Sequence, residues 1–72
     1  MQFRHGTKAF TADGKSIGTL VRIVIDPLTR QITHIVLLTS LLPEEKEIPI
    51  QNVAESSLER IVLNTNAADL AV

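Results

Sequence analysis

The sequence predicts an all-β domain: a small β-barrel of about five to six short antiparallel strands, followed by a short C-terminal helical turn. Three observations favour this fold class. Short runs are rich in β-branched residues, turn residues recur about every 8–12 positions, and no segment has the length of a crossover helix. The 72 residues suit one domain with one core. We expect the core at about residues 6–65, with 66–72 as a tail or helix start.

The first hairpin is predicted at Asp13-Gly14. This dipeptide suits a two-residue type I′ turn, in which both central residues need positive φ. A turn of that kind would place Phe10 opposite Ile17 on one face of the sheet. Gly18 follows at a position where the strand can bulge or bend, as a small barrel requires.

The second strand is predicted over residues 17–25, with Val21, Ile23 and Ile25 on one face and Leu20, Arg22 and Val24 on the other. Asp26-Pro27 begins the next turn, because Asp starts turns and Pro27 has no N–H to donate. The chain returns as a third strand over 31–38. Two registers remain open: one pairs Ile23 with His34, and a slip of one residue sets Arg22 against His34.

The second half of the chain is predicted to hold two further strands. After a break at 41–43 and the charged run 44–47, a short strand covers 48–50, and Pro49 restricts it to a sheet edge or a strand end. A polar connection over 51–59 follows, anchored inward by Val53 and Leu58. The last strand covers 60–64, and Asn66 is a helix cap with Asp69 at the third helical position.

Composition argues against several classes of function. Seven Lys and Arg against eight Asp and Glu give a formal charge of −1, so direct nucleic-acid binding is not expected. The chain has no Cys, so nothing indicates disulfides or an oxidising compartment. The N-terminus lacks the apolar core of a signal peptide, and the longest apolar run, 32–42, is too short to cross a bilayer. We expect a cytoplasmic protein without membrane insertion.

No pattern in the chain indicates an active site or a cofactor. Gly14-Lys15-Ser16 resembles the end of a phosphate-binding loop, but Ala9 stands where that loop needs its first glycine. His5 and His34 lack metal-ligand spacing, and Asp13 and Asp26 are explained as turn residues. None of the serines lies in a nucleophile elbow. We therefore expect no enzyme, no metal and no cofactor.

The order of these motifs resembles the PRC-barrel domain, across about residues 6–65. The stretches that carry the resemblance are GTKAFTADGKSIGTL, IDPLTRQITHIVL, IPIQNV and IVLN. This family includes the barrel of the photosynthetic reaction-centre H subunit, that of the ribosome-maturation factor RimM, and stand-alone proteins. The resemblance implies a docking or assembly module without catalytic residues. The chain is most similar to the stand-alone members, since it lacks RimM's N-terminal domain and the H subunit's membrane anchor.

We therefore predict an adaptor that binds a protein partner through a barrel edge and the 39–47 loop. The alternative is an RNA- or ribosome-associated factor by analogy with RimM, and a homodimer formed by edge pairing is possible. Leu41 and Leu42 either cap the open end of the barrel or contact a partner. The charged run 44–47 either is a solvated segment that protects an edge strand from unwanted pairing or forms a docking patch. The candidate interface residues are Arg22, His34, Thr39, Leu41, Leu42, Glu44 and Glu45.

Overall fold

The computed structural model describes residues 2–39 and 44–66. These residues form one mixed sheet and one short 3₁₀ turn. The elements in chain order are β1 (Lys8–Phe10), β2 (Ser16–Ile25), β3 (Ile32–Thr39), β4 (Glu45–Pro49), η1 (Ile50–Asn52), β5 (Val53–Ser56) and β6 (Arg60–Leu63). The all-β prediction is confirmed.

The sheet has the strand order β4-β3-β2-β1-β6-β5. Sequential hairpins explain the antiparallel pairs, but β1 and β6 run parallel, with Lys8 opposite Arg60. This pair departs from the antiparallel arrangement that we expected for every strand. In the described residues β4 and β5 are the two ends of the sheet, and no hydrogen-bonded ladder closes a barrel between them.

One core lies on the concave side of the sheet. All six strands contribute a buried side chain to it, so the sheet must curl around a common centre. The buried members are Ala9, Leu20, Ile35, Leu37, Ile48, Val53, Ile61 and Leu63, with Phe3, Ile17, Ile23 and Ile50 packed against them. Burial of this apolar surface is the main stabilising contribution available to so small a domain.

The first hairpin turns at Asp13-Gly14, but the turn is not type I′. Only Gly14 has positive φ, at 86°. The Thr11 N–H donates to the Lys15 carbonyl at 2.8 Å, and the Gly14 N–H donates to the Thr11 carbonyl at 2.9 Å. These bonds define a three-residue loop with glycine in the left-handed position. Thr11 explains the difference, because its hydroxyl bonds Asp13 and accepts from the Lys15 N–H at 3.1 Å.

The β1–β2 register therefore differs from the predicted one. Phe10 pairs with Ser16 and Ala9 with Gly18, which leaves Ile17 as an extra residue in β2. The bulge lies beside Gly18, as expected. A side chain at Gly18 is excluded by β3, because its Cβ would stand 2.3 Å from the Leu38 carbonyl oxygen.

The β2–β3 ladder keeps the first predicted register at both ends, but its middle follows neither predicted register. Ile25 pairs with Ile32, but Val24 then pairs with His34, so Thr33 is an extra residue in β3. A second bulge near Val21 in β2 restores the first register beyond it. Neither Ile23 nor Arg22 is the partner of His34. The bulge also breaks the predicted alternation of β2, since Leu20 and Ile23 both contact the core.

The β2–β3 turn is organised by Asp26. Its Oδ1 accepts from the Leu28 N–H at 2.8 Å, and its carbonyl accepts from the Arg30 N–H at 2.7 Å. Asp26 thus has the predicted turn role. Arg30 takes a positive φ of 60°, a conformation that costs most residues about 1–2 kcal/mol.

Pro49 ends β4 and β4 is an edge strand, so both predicted roles of this proline are confirmed. The predicted polar connection contains η1 and the unpredicted strand β5. Val53 is an inward anchor as expected, but Leu58 is 50% exposed in the β5–β6 turn, so its predicted inward role is wrong. Residues 67–72 of the predicted helical turn lie outside the described residues.

Candidate functional site

The convex face of β2, β3 and β4 carries most of the described candidate interface residues. We call it the outer surface; it consists of Arg22, Val24, His34, Val36, Leu38, Glu45 and Glu47. The register explains this grouping, because directly opposite residues share a face of a sheet. Arg22 lies opposite Val36, which lies opposite Glu47, and His34 lies between Val24 and Pro49.

An ion pair between Arg22 and Glu45 spans this surface. Arg22 is on β2 and Glu45 is on β4, so the pair must cross β3 above Val36 and Leu38. Val36 is only 2% exposed although it lies outside the core cluster. The charged side chains therefore cover an apolar strip on the convex face. Both members of the pair are substantially exposed, so the pair contributes little to stability.

His34 lies on the outer surface rather than in the core. Its Nε2 is 3.6 Å from Glu47 Oε1, and its Nδ1 is 3.0 Å from the Thr33 hydroxyl. The Thr33 hydroxyl also donates to the Val24 carbonyl at 3.3 Å. The bulge at Thr33 thus orients the imidazole toward β4. Sequence reasoning missed Glu47, because its contact with His34 depends on a register that the strands alone did not reveal.

Thr39 and Glu44 lie on either side of the β3–β4 connection. The Thr39 N–H and hydroxyl donate to the Glu44 carbonyl at 3.0 and 3.1 Å. These two candidates close the hairpin at the margin of the outer surface. Leu41 and Leu42 lie outside the described residues.

Besides Leu58, two leucines are exposed among the described residues. Leu38 is 38% exposed at the end of the apolar strip, and Leu28 is almost fully exposed at the tip of the β2–β3 turn. Leu38 adjoins Glu45 in the register, so it places a hydrophobic side chain beside the ion pair. Leu28 lies in a turn and therefore has no cross-strand partner, charged or apolar.

A shallow depression of about 400 Å³ lies on another part of the molecule. Its ionisable lining residues are Glu55 and Arg60, whose side chains approach to 4.0 Å. Its other lining residues are Phe10, Thr11, Ala12, Gly14 and Val62. Within the described ranges, no three His, Asp or Glu side chains gather as a metal site would require.

The architecture defines a small all-β module with one curled sheet, one core and an ion-paired outer surface. The family model of the PRC-barrel domain matches residues 5–70, and the chain belongs to that family. A search of curated proteins found no match. In the part of the chain that the structure describes, no helix is long and apolar enough to cross a membrane.

Proposed function

We propose that the protein is a non-enzymatic interaction module that binds a protein partner through its outer surface. The observation that carries this proposal is the combination of an exposed leucine, Leu38, with the Arg22–Glu45 pair across β3. Protein interfaces commonly join an apolar centre to a polar rim. The PRC-barrel fold is compatible with such a role.

The chemistry of the depression supports a non-catalytic role. Its one hydroxyl, that of Thr11, is engaged by Asp13 and by the Lys15 backbone. Glu55 and Arg60 approach each other to 4.0 Å, and both side chains are largely exposed to solvent.

The ribosome-associated alternative has less support. Arg22 and Arg60, two of the basic residues on the sheet, already face Glu45 and Glu55. RNA-binding sheets present aromatic side chains beside basic ones, whereas this chain has only two phenylalanines and no Tyr or Trp. Filter binding to RNA across a salt series tests this alternative, because an RNA-binding protein loses affinity steeply as salt rises.

Affinity capture with matched surface variants tests the proposed function. The full chain, Leu38→Lys and Leu58→Lys are used as baits in lysate from the source cells. We expect one protein to be enriched by wild type and by Leu58→Lys but lost with Leu38→Lys, because only Leu38 lies on the outer surface. Far-UV circular dichroism confirms that both variants fold. Equal capture by Leu38→Lys, or no enriched protein at all, contradicts the proposal.

A further inference from the structure

Strand β4 ends the sheet and exposes backbone groups on one side. The Thr39 N–H donates to the Glu44 carbonyl, so these two residues form a hydrogen-bonded pair. In an antiparallel ladder such pairs alternate with non-hydrogen-bonded ones. Given the β3–β4 register, Lys46 and Ile48 direct their N–H and C=O groups toward β3. Glu45 and Glu47 therefore direct theirs away from the sheet.

These outward backbone groups have no strand partner among the described residues. In residues 2–39 and 44–66, β4 pairs only with β3, and no further backbone bond reaches Glu45 or Glu47. The opposite edge differs, because at the end of β5 the Ser56 hydroxyl donates to the Gln2 carbonyl. Edge strands of this kind accept an added strand through their main chain.

The charge pattern of β4 argues against pairing with a second copy of itself. In a symmetric dimer, two antiparallel β4 strands would pair about a two-fold axis, and residues whose backbone groups point outward would lie opposite each other. If the axis passes beside Lys46, Glu45 of each copy lies opposite Glu47 of the other. If the axis passes beside Glu45 or Glu47, that residue lies opposite its own copy. Like charges directly opposite are destabilising. The axis beside Glu47 also sets Glu45 against Pro49, which has no N–H to donate.

The same pattern favours a strand that carries positive charge. The Glu45 and Glu47 side chains are 46% and 59% exposed, so each can accept further donors besides Arg22 and His34. Both lie on the outer face, two residues apart. A strand added along β4 would present its own alternate side chains to these carboxylates.

We propose that β4 binds an extended segment of another protein that carries Lys or Arg at every second position. This inference rests on the proposed interaction function and names the chemistry of its partner. Main-chain hydrogen bonds from Glu45 and Glu47 give the added strand its direction and register, and the two carboxylates select its basic side chains. The bound strand extends the outer surface beyond β4.

Peptide binding to the full chain tests this proposal. The probe is a capped heptapeptide, Thr-Lys-Val-Lys-Val-Lys-Thr, and its counterpart carries Glu in place of each Lys. Two further probes have N-methyl groups on alternate amides, either on the Lys residues or on the Val residues. Strand addition predicts that one N-methylated series loses at least tenfold in affinity while the other binds like the parent, because only one set of amides faces β4.

Protein variants provide the second arm of the experiment. Glu47→Lys should weaken the Lys peptide by about tenfold, because it replaces an attraction with a repulsion of similar size. Glu59→Lys, in the exposed β5–β6 turn, makes the same charge change and should have little effect beyond a small long-range contribution. Glu47→Pro should abolish binding while leaving the β3–β4 ladder intact, since the lost N–H points away from β3.

The outcomes separate this proposal from the proposed function. Binding of the Glu peptide, equal losses in both N-methylated series, or no binding of the Lys peptide overturns strand addition at β4. A dimer in sedimentation that Glu47→Pro dissociates overturns the argument against self-pairing. If the captured partner depends on Leu38 while the peptide fails to bind, the interaction function stands and the β4 proposal fails.

Discussion

Replacement of Gly18 by alanine is the most informative perturbation of this fold. A Cβ at this position would stand 2.3 Å from the Leu38 carbonyl oxygen and 2.9 Å from its carbonyl carbon. Non-bonded heavy atoms prefer a separation of about 3.5 Å or more, so the methyl overlaps the β3 backbone by roughly 1 Å. The β3 backbone cannot change rotamer to make room as a flexible side chain can. Strand β2 must therefore move away from β3.

The expected loss of stability has two parts. Overpacking costs about 1–3 kcal/mol, and each β2–β3 hydrogen bond that the separation weakens adds about 0.5–1.5 kcal/mol. The sum is about 2–4 kcal/mol, against a total of roughly 4–11 kcal/mol for a domain of this size. The midpoint of thermal unfolding should fall by roughly 10–30 °C.

Far-UV circular dichroism during urea and thermal unfolding measures the effect, because the chain has no Trp or Tyr for fluorescence. Gly14→Ala is the control: a Cβ there meets nothing within 4 Å, but φ is +86°. It should cost only about 1–2 kcal/mol, from conformation alone. Gly14→Asn should cost less still, whereas Gly18→Asn should be at least as damaging as Gly18→Ala. A Gly18→Ala protein within about 0.5 kcal/mol of wild type would refute the close-approach argument.

Four further substitutions test three separate parts of the fold by the same unfolding measurements. Asp26→Ala should lose about 0.5–2 kcal/mol, because the turn amides lose their carboxylate acceptor, and an unchanged urea midpoint would contradict that role. Arg30→Gly should gain up to about 1 kcal/mol by relieving the positive φ, and a loss of stability would show that the arginine side chain matters more. Val53→Ala should lose about 1–3 kcal/mol while Leu58→Ala changes less than about 0.5 kcal/mol, and the reverse order would restore Leu58 as the inward anchor.

The turns were the most predictable part of this fold. Asp13-Gly14, Asp26-Pro27 and Pro49 act locally, since their backbone preferences do not depend on distant residues. The type of the first turn was not predictable from the dipeptide alone, because the Thr11 side chain enters the hydrogen bonding.

The strand registers were less predictable, because two bulges offset each other within one hairpin. The extra residues fall near Val21 and at Thr33, and neither type marks a bulge as a glycine would. The His34–Glu47 contact follows instead from the β3–β4 ladder, and it was missed because Glu47 was expected to precede the strand at 48–50. Strand β5 was missed because Ala54, Glu55 and Ser56 carry little β propensity.

The candidate site was predicted only in part. Arg22 and Glu45 were named separately, and the structure joins them across an intervening strand. No sequence pattern shows a contact between residues on two strands that are not neighbours. The apolar strip of Val36 and Leu38 beneath the pair was likewise hidden in a run that also supplies core residues.

The parallel pairing of β1 with β6 determines how the chain can fold. Strands β1 to β4 are joined by local hairpins, and so are β5 and β6, but only the β1–β6 ladder links these two groups in the sheet. That ladder joins residues near opposite ends of the sequence, so its loop-closure entropy makes it a late event. Native-state hydrogen exchange should show β5 and β6 opening together and before β3. Because both groups contribute side chains to one core, we expect that core to become complete only when the β1–β6 ladder forms.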